Sequence, residues 1–531
     1  MRKYICAILM AVVCSSCSDF LKEYSQDLTR VKTFSDLDEL VVGEAFLPVG
    51  YVENSTYSLI VYNLNYLPLH FMSDELEENL ALSYDPEPSV VRCRKPMFPF
   101  FTWQQDTNLD FEGKNTLESQ ENGYWAMAYK RIASCNMILA EAKKMTAVSD
   151  DDKALSNKVQ GETYFLRALY YYTLVNLYAD PYAPSTAAQT PGVPLKTTEY
   201  IEDKEFKRNT VQQVYDQIVS DLTSAEACLK DIPQPTSINR VGINAVYVFR
   251  SRIALYMQDW DTAKKYAELS LEKNSKLRSV IDLNAGEAPL SDDSPENIFA
   301  MGGVSLGYEI FVHPGGTNDY GQPNSPVFKV SDHLYGLFSD DDARKDMYVS
   351  NVYGEGNMPY VTKIDYTDKS FNNKSHISDQ FLLRSAEAYL NAAEACAQLG
   401  ETQNAIKYLD ALRATRMYKG ANVADLSGKE LIKFVRQERE RELCFEGQRF
   451  YDMRRYAVDV NCPEVETVKH SFTTYTYKKD NYYPTSTDVY EMKTNDGALT
   501  LNIPKSVRDF QKSIGSNERP VRTPVNTIVY N

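Results

Sequence analysis

Apolar residues fall at helical spacing in three parts of this 531-residue chain and lose that spacing between them. Near 121–178, Tyr124, Trp125, Ala128, Ile132, Met137 and Leu139 mark one buried side. Tyr164, Phe165, Ala168, Leu169, Tyr172 and Leu174 mark a partner helix over about Asn157–Tyr178, stopped by Asp180-Pro181. Near 209–274, Asn209-Thr210 caps a helix Val211–Leu229, Pro233 and Pro235 break the pattern, and a further helix starts near Gly242. The third part lies near 379–446. A short helix, Ser35–Leu47, precedes them all, with Leu37, Leu40 and Val41 inward. The blocks 48–120, 280–378 and 460–500 have no helical period. The first contains much proline, and the second is rich in Gly, Asn, Asp, Pro and Tyr; in the third, the Tyr/Thr-rich segment His470–Tyr490 reads as strands or loop. Long irregular segments in a compact protein are where binding residues concentrate.

Small residues add a second periodicity. Ser251 and Ala263 lie 12 apart with Ala267 four later, and Ala393 and Ala405 lie 12 apart with Leu409 four later. Small side chains at that interval let paired helices cross closely, as in tetratricopeptide repeats. Such pairs cannot bury their faces alone and must stack. The expected fold is mainly α, with irregular blocks carried on a helical scaffold.

The N-terminus changes the picture of where this scaffold works. Arg2 and Lys3 precede an apolar run, Tyr4–Val13, too short to span a bilayer but of signal-peptide length. Cys14-Ser15-Ser16-Cys17 then resembles a bacterial lipobox, with cleavage before Cys17 and lipid on its sulfur. Residues 1–16 read as a lipoprotein signal peptide, 17–34 as a lipidated tether, and 35–531 as one domain. The formal charge of −16 becomes −18 once Arg2 and Lys3 are removed. An acidic chain without a basic stripe excludes nucleic acid as a partner, since phosphate affinity comes from Lys and Arg. The six cysteines beyond Cys17 form no C-x-x-C pair and no zinc-type spacing.

The densest stretch is Arg436–Tyr456, RQERERELCFEGQRFYDMRRY. Leu431, Val435 and Leu443, with Arg439 in register between them, give its helix a side to bury. Glu446-Gly447 reads as the helix end. Its charges read as a structural corner that touches no ligand. This stretch resembles the C-terminal signature of the SusD/RagB family, surface lipoproteins that capture nutrients for outer-membrane transporters. Phe381–Ala395, FLLRSAEAYLNAAEA, resembles the family's "LlRlAEvYLnyAEA" helix. Arg167-Ala168 through Asp180-Pro181, Asp342-Ala343-Arg344 and Leu501–Pro504 follow its pattern in order. The resemblance implies a SusD-like fold with four tetratricopeptide-like helix pairs. It also implies a SusC-like TonB-dependent transporter as partner and an outer-membrane, cell-surface location through the lipid anchor.

Catalysis finds little support. None of the five histidines, His70, His313, His333, His376 and His470, stands in H-E-x-x-H or near G-x-S-x-G. No cofactor and no metal are expected, and the acidic run Asp340-Asp341-Asp342 reads as solvated rather than calcium-bound. A glycan binder needs flat aromatic rings and planar polar partners. Trp125 and Trp260 fall in helical stripes and read as core, whereas Trp103 lies in the first irregular block. The resemblance draws the ligand platform from that block and from the insert between repeat helices. It implies Trp103, Tyr308 and Tyr320 as stacking residues, with Asp74, Arg92, Asn108 and Asn318 as polar ones. The expected ligand is an oligosaccharide. The alternative is a peptide, as in the RagB branch, because tryptophan outside the helices is scarce.

Overall fold

The computed structural model describes residues 31–47, 68–79, 97–114, 118–284, 287–302, 328–350, 361–364, 377–378, 381–423, 425–479 and 481–530. It opens on α1 (Phe34–Leu40), whose Thr33 hydroxyl accepts from the Asp36 amide while the Asp36 carboxylate accepts from that of Thr33. This reciprocal cap satisfies two amides the helix cannot pair internally. The helix then widens into a π turn, Val41–Ala45, which keeps Leu37 and Val41 buried. The first irregular block supplies α2 (Pro68–Met72), the short strand β1 (Leu76–Glu78) and α3 (Phe98–Phe101).

The scaffold is a stack of long helices: α4 (Glu118–Lys144), α5 (Asp150–Tyr178), α6 (Val211–Leu229), α7 (Ile243–Met257) and α8 (Trp260–Lys273). After the second irregular block it continues as α11 (Ser385–Gln398), α12 (Thr402–Arg413), α13 (Gly428–Leu443) and α14 (Arg449–Ala457). Within that block lie β2 (Asn297–Met301), β3 (Phe328–Val330), α9 (Asp332–Gly336) and α10 (Arg344–Met347), and β4 (Phe381–Arg384) follows it. Helices α5 and α6, α7 and α8, and α11 and α12 pack in pairs, and α8 packs on α11. The small residues do the work expected of them. Ser251 and Ala263 are fully buried, and the Ser251 hydroxyl donates to the Ala263 carbonyl at 3.0 Å across the α7–α8 crossing. At the α5–α6 crossing a Cβ on Gly161 would sit 2.4 Å from Leu229 Cγ, so only hydrogen fits there.

The strands form three small antiparallel sheets: β1 with β3, β2 with β4, and a third made of β5 (Thr467–Lys478), β6 (Asn481–Lys493) and β7 (Asn526–Val529). The block expected as strands or loop is therefore a long hairpin, with His470 opposite Tyr490 and a register shift at Thr474/Tyr475. One more helix, α15 (Lys505–Phe510), follows it. The β1–β3 ladder, Leu76 opposite Val330, ties the first irregular block to the second. Trp125 is core as expected, and Trp260 packs half-buried against it. Cys135, Cys228, Cys396, Cys444 and Cys462 are free thiols. Among the described residues no helix is long and apolar enough to cross a membrane.

The Arg436–Tyr456 stretch is a corner, as its sequence suggests, but not a solvated one. Helix α13 ends at Leu443, the chain turns through Phe445 (φ 58°) and Gly447 (φ 69°), and α14 begins. Glu438, Arg439, Glu440, Arg441 and Glu442 are all buried. Arg441 pairs with Glu438 one turn along the helix at 2.7 Å, but the other ion-pair partners lie on other elements. Glu442 accepts from Arg384 at 2.6 Å, from Arg416 at 2.9 Å and from Arg344 at 2.9 Å. Burial works against its charge, but Arg416 and Arg384 outweigh it and hold the carboxyl well below its usual range. The D-x-R triplet enters here: Arg344 joins Asp342 at 2.8 Å to Glu438 at 2.7 Å. The acidic run Asp340–Asp342 is thereby split between an exposed Asp340 beside Lys345 and a buried Asp342.

Candidate functional site

A cavity of about 390 Å³ opens where the two irregular blocks meet the start of the β5–β6 hairpin. The first block contributes Asp74, Leu76 and Glu77; the second contributes Ser331 and His333; Glu466 to His470 close the far wall. Local hydrogen bonds explain the convergence. Ser331 caps α9, its hydroxyl donating to the Asp74 carbonyl at 2.6 Å and accepting from the Leu334 amide. The Ser331 amide donates to the Glu75 carbonyl at 2.9 Å, extending the β1–β3 ladder. The Glu75 carboxylate accepts from the Phe445 amide at 2.7 Å, so the α13–α14 corner is fastened to the same wall.

That corner reaches further. The Arg449 guanidinium donates Nε to Asp74 Oδ1 at 2.8 Å and Nη2 to Asp74 Oδ2 at 2.6 Å. It also meets Glu440 at 3.1 Å and Glu466 at 2.9 Å. His333 Nε2 lies 2.8 Å from Glu440 Oε1 and 3.6 Å from Asp74 Oδ2. Donor atoms of Asp74, His333 and Glu440 all fall within 4.8 Å of one another. The hydrogen bond to Glu440 lifts His333 to about 9, against the effect of burial and with help from Asp74, so the ring carries a proton at neutral pH. Burial raises Asp74, but the two short bonds from Arg449 prevail and its carboxyl lies below the usual value. Glu440 has one longer Arg449 contact and the Asp74 charge nearby, and burial pulls it up.

Beneath the pocket lies an aromatic stack. His470 is sandwiched between Phe101, at 4.0 Å between centroids, and Trp103, at 4.3 Å. Its Nδ1–H donates to the Phe101 carbonyl at 2.6 Å, and burial pushes its pKa down to about 4, so this ring is neutral. Trp103 is 0 % exposed and donates Nε1–H to the Met72 carbonyl at 3.0 Å. It adopts φ 50°, a left-handed conformation unusual for a bulky residue and held here by packing on every side. That burial does not fit the stacking role expected of Trp103; it is a support under the pocket floor, not a platform.

Of the other expected residues, Asp74 lines the pocket. Asn108 lies apart, half-buried in a turn where its amide donates to Asp106 Oδ1 at 2.9 Å. Arg92, Tyr308, Asn318 and Tyr320 lie outside the described residues. The sequence reading missed His333, Glu440, Arg449, Glu466 and His470 as site residues. Two of them sit in the Arg436–Tyr456 stretch, whose dense alternating charge was the available signal. His333 follows Ser331 in a cap motif that marks a loop-to-helix junction.

A helical-repeat scaffold that carries a polar pocket on irregular blocks defines a class of binding protein. Residues 92–255 match the family model described as "Starch-binding associating with outer membrane", and residues 308–525 match that of the SusD family. This chain belongs to the SusD/RagB family. SusD-like protein P25 of Formosa agariphila is 23% identical over 513 residues, 86% of this chain and 90% of that one. SusD-like protein P2 of the same organism is 25% identical over 390 residues, 65% of this chain and 74% of that one. A SusD superfamily structure from Bacteroides thetaiotaomicron superposes with a TM-score of 0.66 at 20% identity, covering 92% of this chain and 100% of that one. Surface glycan-binding protein A from Bacteroides uniformis superposes with a TM-score of 0.63 at 18% identity, over the same shares of the two chains. The fold expectation, mainly α and SusD-like, is met.

Proposed function

We propose that this protein is a non-catalytic, cell-surface nutrient-binding lipoprotein that captures an oligosaccharide and delivers it to a SusC-like TonB-dependent transporter. The observation that carries this reading is the match of residues 92–255 to a starch-binding, outer-membrane-associating family, continued by the SusD match over 308–525. The pocket is consistent with it. Asp74 and Glu77 offer planar acceptors, and Thr467 offers a hydroxyl, the partners that sugar hydroxyls require. With Trp103 buried, the stacking rings of this reading are Tyr308 and Tyr320, joined by Arg92 and Asn318 as polar contacts. The lipid anchor is Cys17. Calorimetry of the purified protein against a panel of oligosaccharides tests the ligand class; heat of binding to at least one glycan is expected, and silence across the panel overturns it. Membrane retention of a Cys17→Ala variant would overturn the anchor.

One observation favours the second reading, a RagB-like peptide binder. Burial of Trp103 removes the tryptophan expected as a sugar platform and leaves a pocket rich in charged hydrogen-bonding groups. Oligopeptides belong in the same calorimetric panel, and binding to them alone would decide for this alternative.

A further inference from the structure

We infer that Asp74, His333 and Glu440 form a site for a divalent transition-metal ion of the zinc type, reached through the pocket beside α9. Three chain segments that are remote in sequence bring one imidazole nitrogen and two carboxylates together within 4.8 Å. Zinc bonds of about 2.1 Å place neighbouring ligand atoms roughly 3.0–3.4 Å apart. The observed His333 spacings, 2.8 Å to Glu440 and 3.6 Å to Asp74, bracket that range. Asp74 and His333 line the pocket, and His333 keeps 45% of its side chain exposed, so an ion has a route in from solvent.

The local charge points the same way. Three carboxylates, those of Asp74, Glu440 and Glu466, converge on the single guanidinium of Arg449. The nearby lysines are engaged elsewhere: Lys329 with Glu77 at 2.6 Å and Asp332 at 2.9 Å, and Lys469 with Glu491 at 2.5 Å. Two negative charges are left over. A divalent ion held between Asp74 and Glu440 balances that charge. Arg449 does not block the ion, because each carboxylate oxygen has two lone pairs and can accept from Arg449 while it coordinates. In that arrangement Arg449 orients both ligands from behind. Mixed nitrogen and oxygen donors select zinc-like ions over calcium or magnesium, which favour all-oxygen shells.

The test does not depend on which nutrient fills the pocket. The full chain, stripped with chelator, is titrated with zinc chloride and, separately, with calcium chloride, and bound metal is counted by mass spectrometry. About one equivalent of zinc and no calcium is expected. His333→Ala should lose the zinc, and Asp340→Asn, at an exposed carboxylate outside the site, should keep it, both with native circular dichroism. Cobalt(II) added to the unaltered protein should give the visible bands of a low-coordinate nitrogen–oxygen site. Absence of zinc binding at micromolar metal, absence of those bands, or a folded His333→Ala variant that binds zinc as the parent does would each overturn the assignment.

Discussion

Arg449 grips Asp74 through two parallel hydrogen bonds, of 2.8 and 2.6 Å, across 375 residues of chain. The pairing fixes a pocket wall to the corner that closes the helical scaffold. Arg449→Met removes the guanidinium and leaves Asp74 and Glu440 buried beside each other. Breaking a buried pair from one side costs about 3–5 kcal/mol. A lower urea midpoint is expected, with partial recovery in the Arg449→Met, Asp74→Asn double variant; an unchanged midpoint would contradict the structural role.

Trp103 separates fold from binding. Trp103→Ala should destabilise by about 3–5 kcal/mol, as for other large buried aromatics. Trp103→Phe keeps a ring against His470 but loses the bond to the Met72 carbonyl. It should fold less stably and bind ligand with unchanged affinity. A folded Trp103→Phe protein with weakened ligand affinity would return Trp103 to the binding surface.

His470 gives the protein an acid sensitivity with a defined sign. Its folded pKa of about 4 lies below the ordinary imidazole value of about 6.5, because burial disfavours the charged ring. The unfolded chain therefore takes up the proton first. The contribution is complete above about pH 6.5 and is lost as pH falls toward 4, amounting to about 3 kcal/mol in all. Urea midpoints at pH 7.5, 5.5 and 4.5 should fall more steeply for the parent than for His470→Asn. Equal slopes would place the acid sensitivity elsewhere.

Gly161 marks a close helix crossing. Its missing Cβ is what lets Leu229 approach, so Gly161→Ala should destabilise by roughly 1–3 kcal/mol through overpacking. Leu229→Ala in the same chain should relieve part of that loss. A double-mutant cycle measures the coupling, and strict additivity would mean that the two helices adjust freely.

The scaffold was legible because its signals are local. Helical spacing and the Asn209-Thr210 cap placed Val211–Leu229 at its observed bounds. The small residues Ser251 and Ala263 placed the α7–α8 crossing, where one bonds to the other. The site was less legible because its geometry is non-local. A tryptophan beside Gln104, Gln105 and Asp106 reads as a surface ring; only the fold shows that α3, Met72 and His470 enclose it. Likewise Glu438–Glu442, ERERE, reads as part of a structural corner, with nothing local to say which groups meet its charges. Its burial depends on Arg344, Arg384, Arg413 and Arg416, which arrive from other elements to satisfy Glu438 and Glu442. Opposite charges one turn apart contribute only a few tenths of a kcal/mol. No local rule could have announced partners from so far along the chain.

The three-residue pairing of β1 with β3 has a consequence for how the protein is made. Synthesis delivers Asp74 long before Ser331 and His333, and later still Glu440, Arg449 and the first residues of β5. Until those C-terminal segments emerge, the early strand has nothing to pair with and its carboxylates have no counter-ion. The helices α4 to α7 can stack as they appear, since their main helix contacts are with neighbours in sequence, whereas α8 waits for α11 to cover one face. The pocket matures last, so a chain cut short before β5 can carry a helical scaffold but no finished cavity.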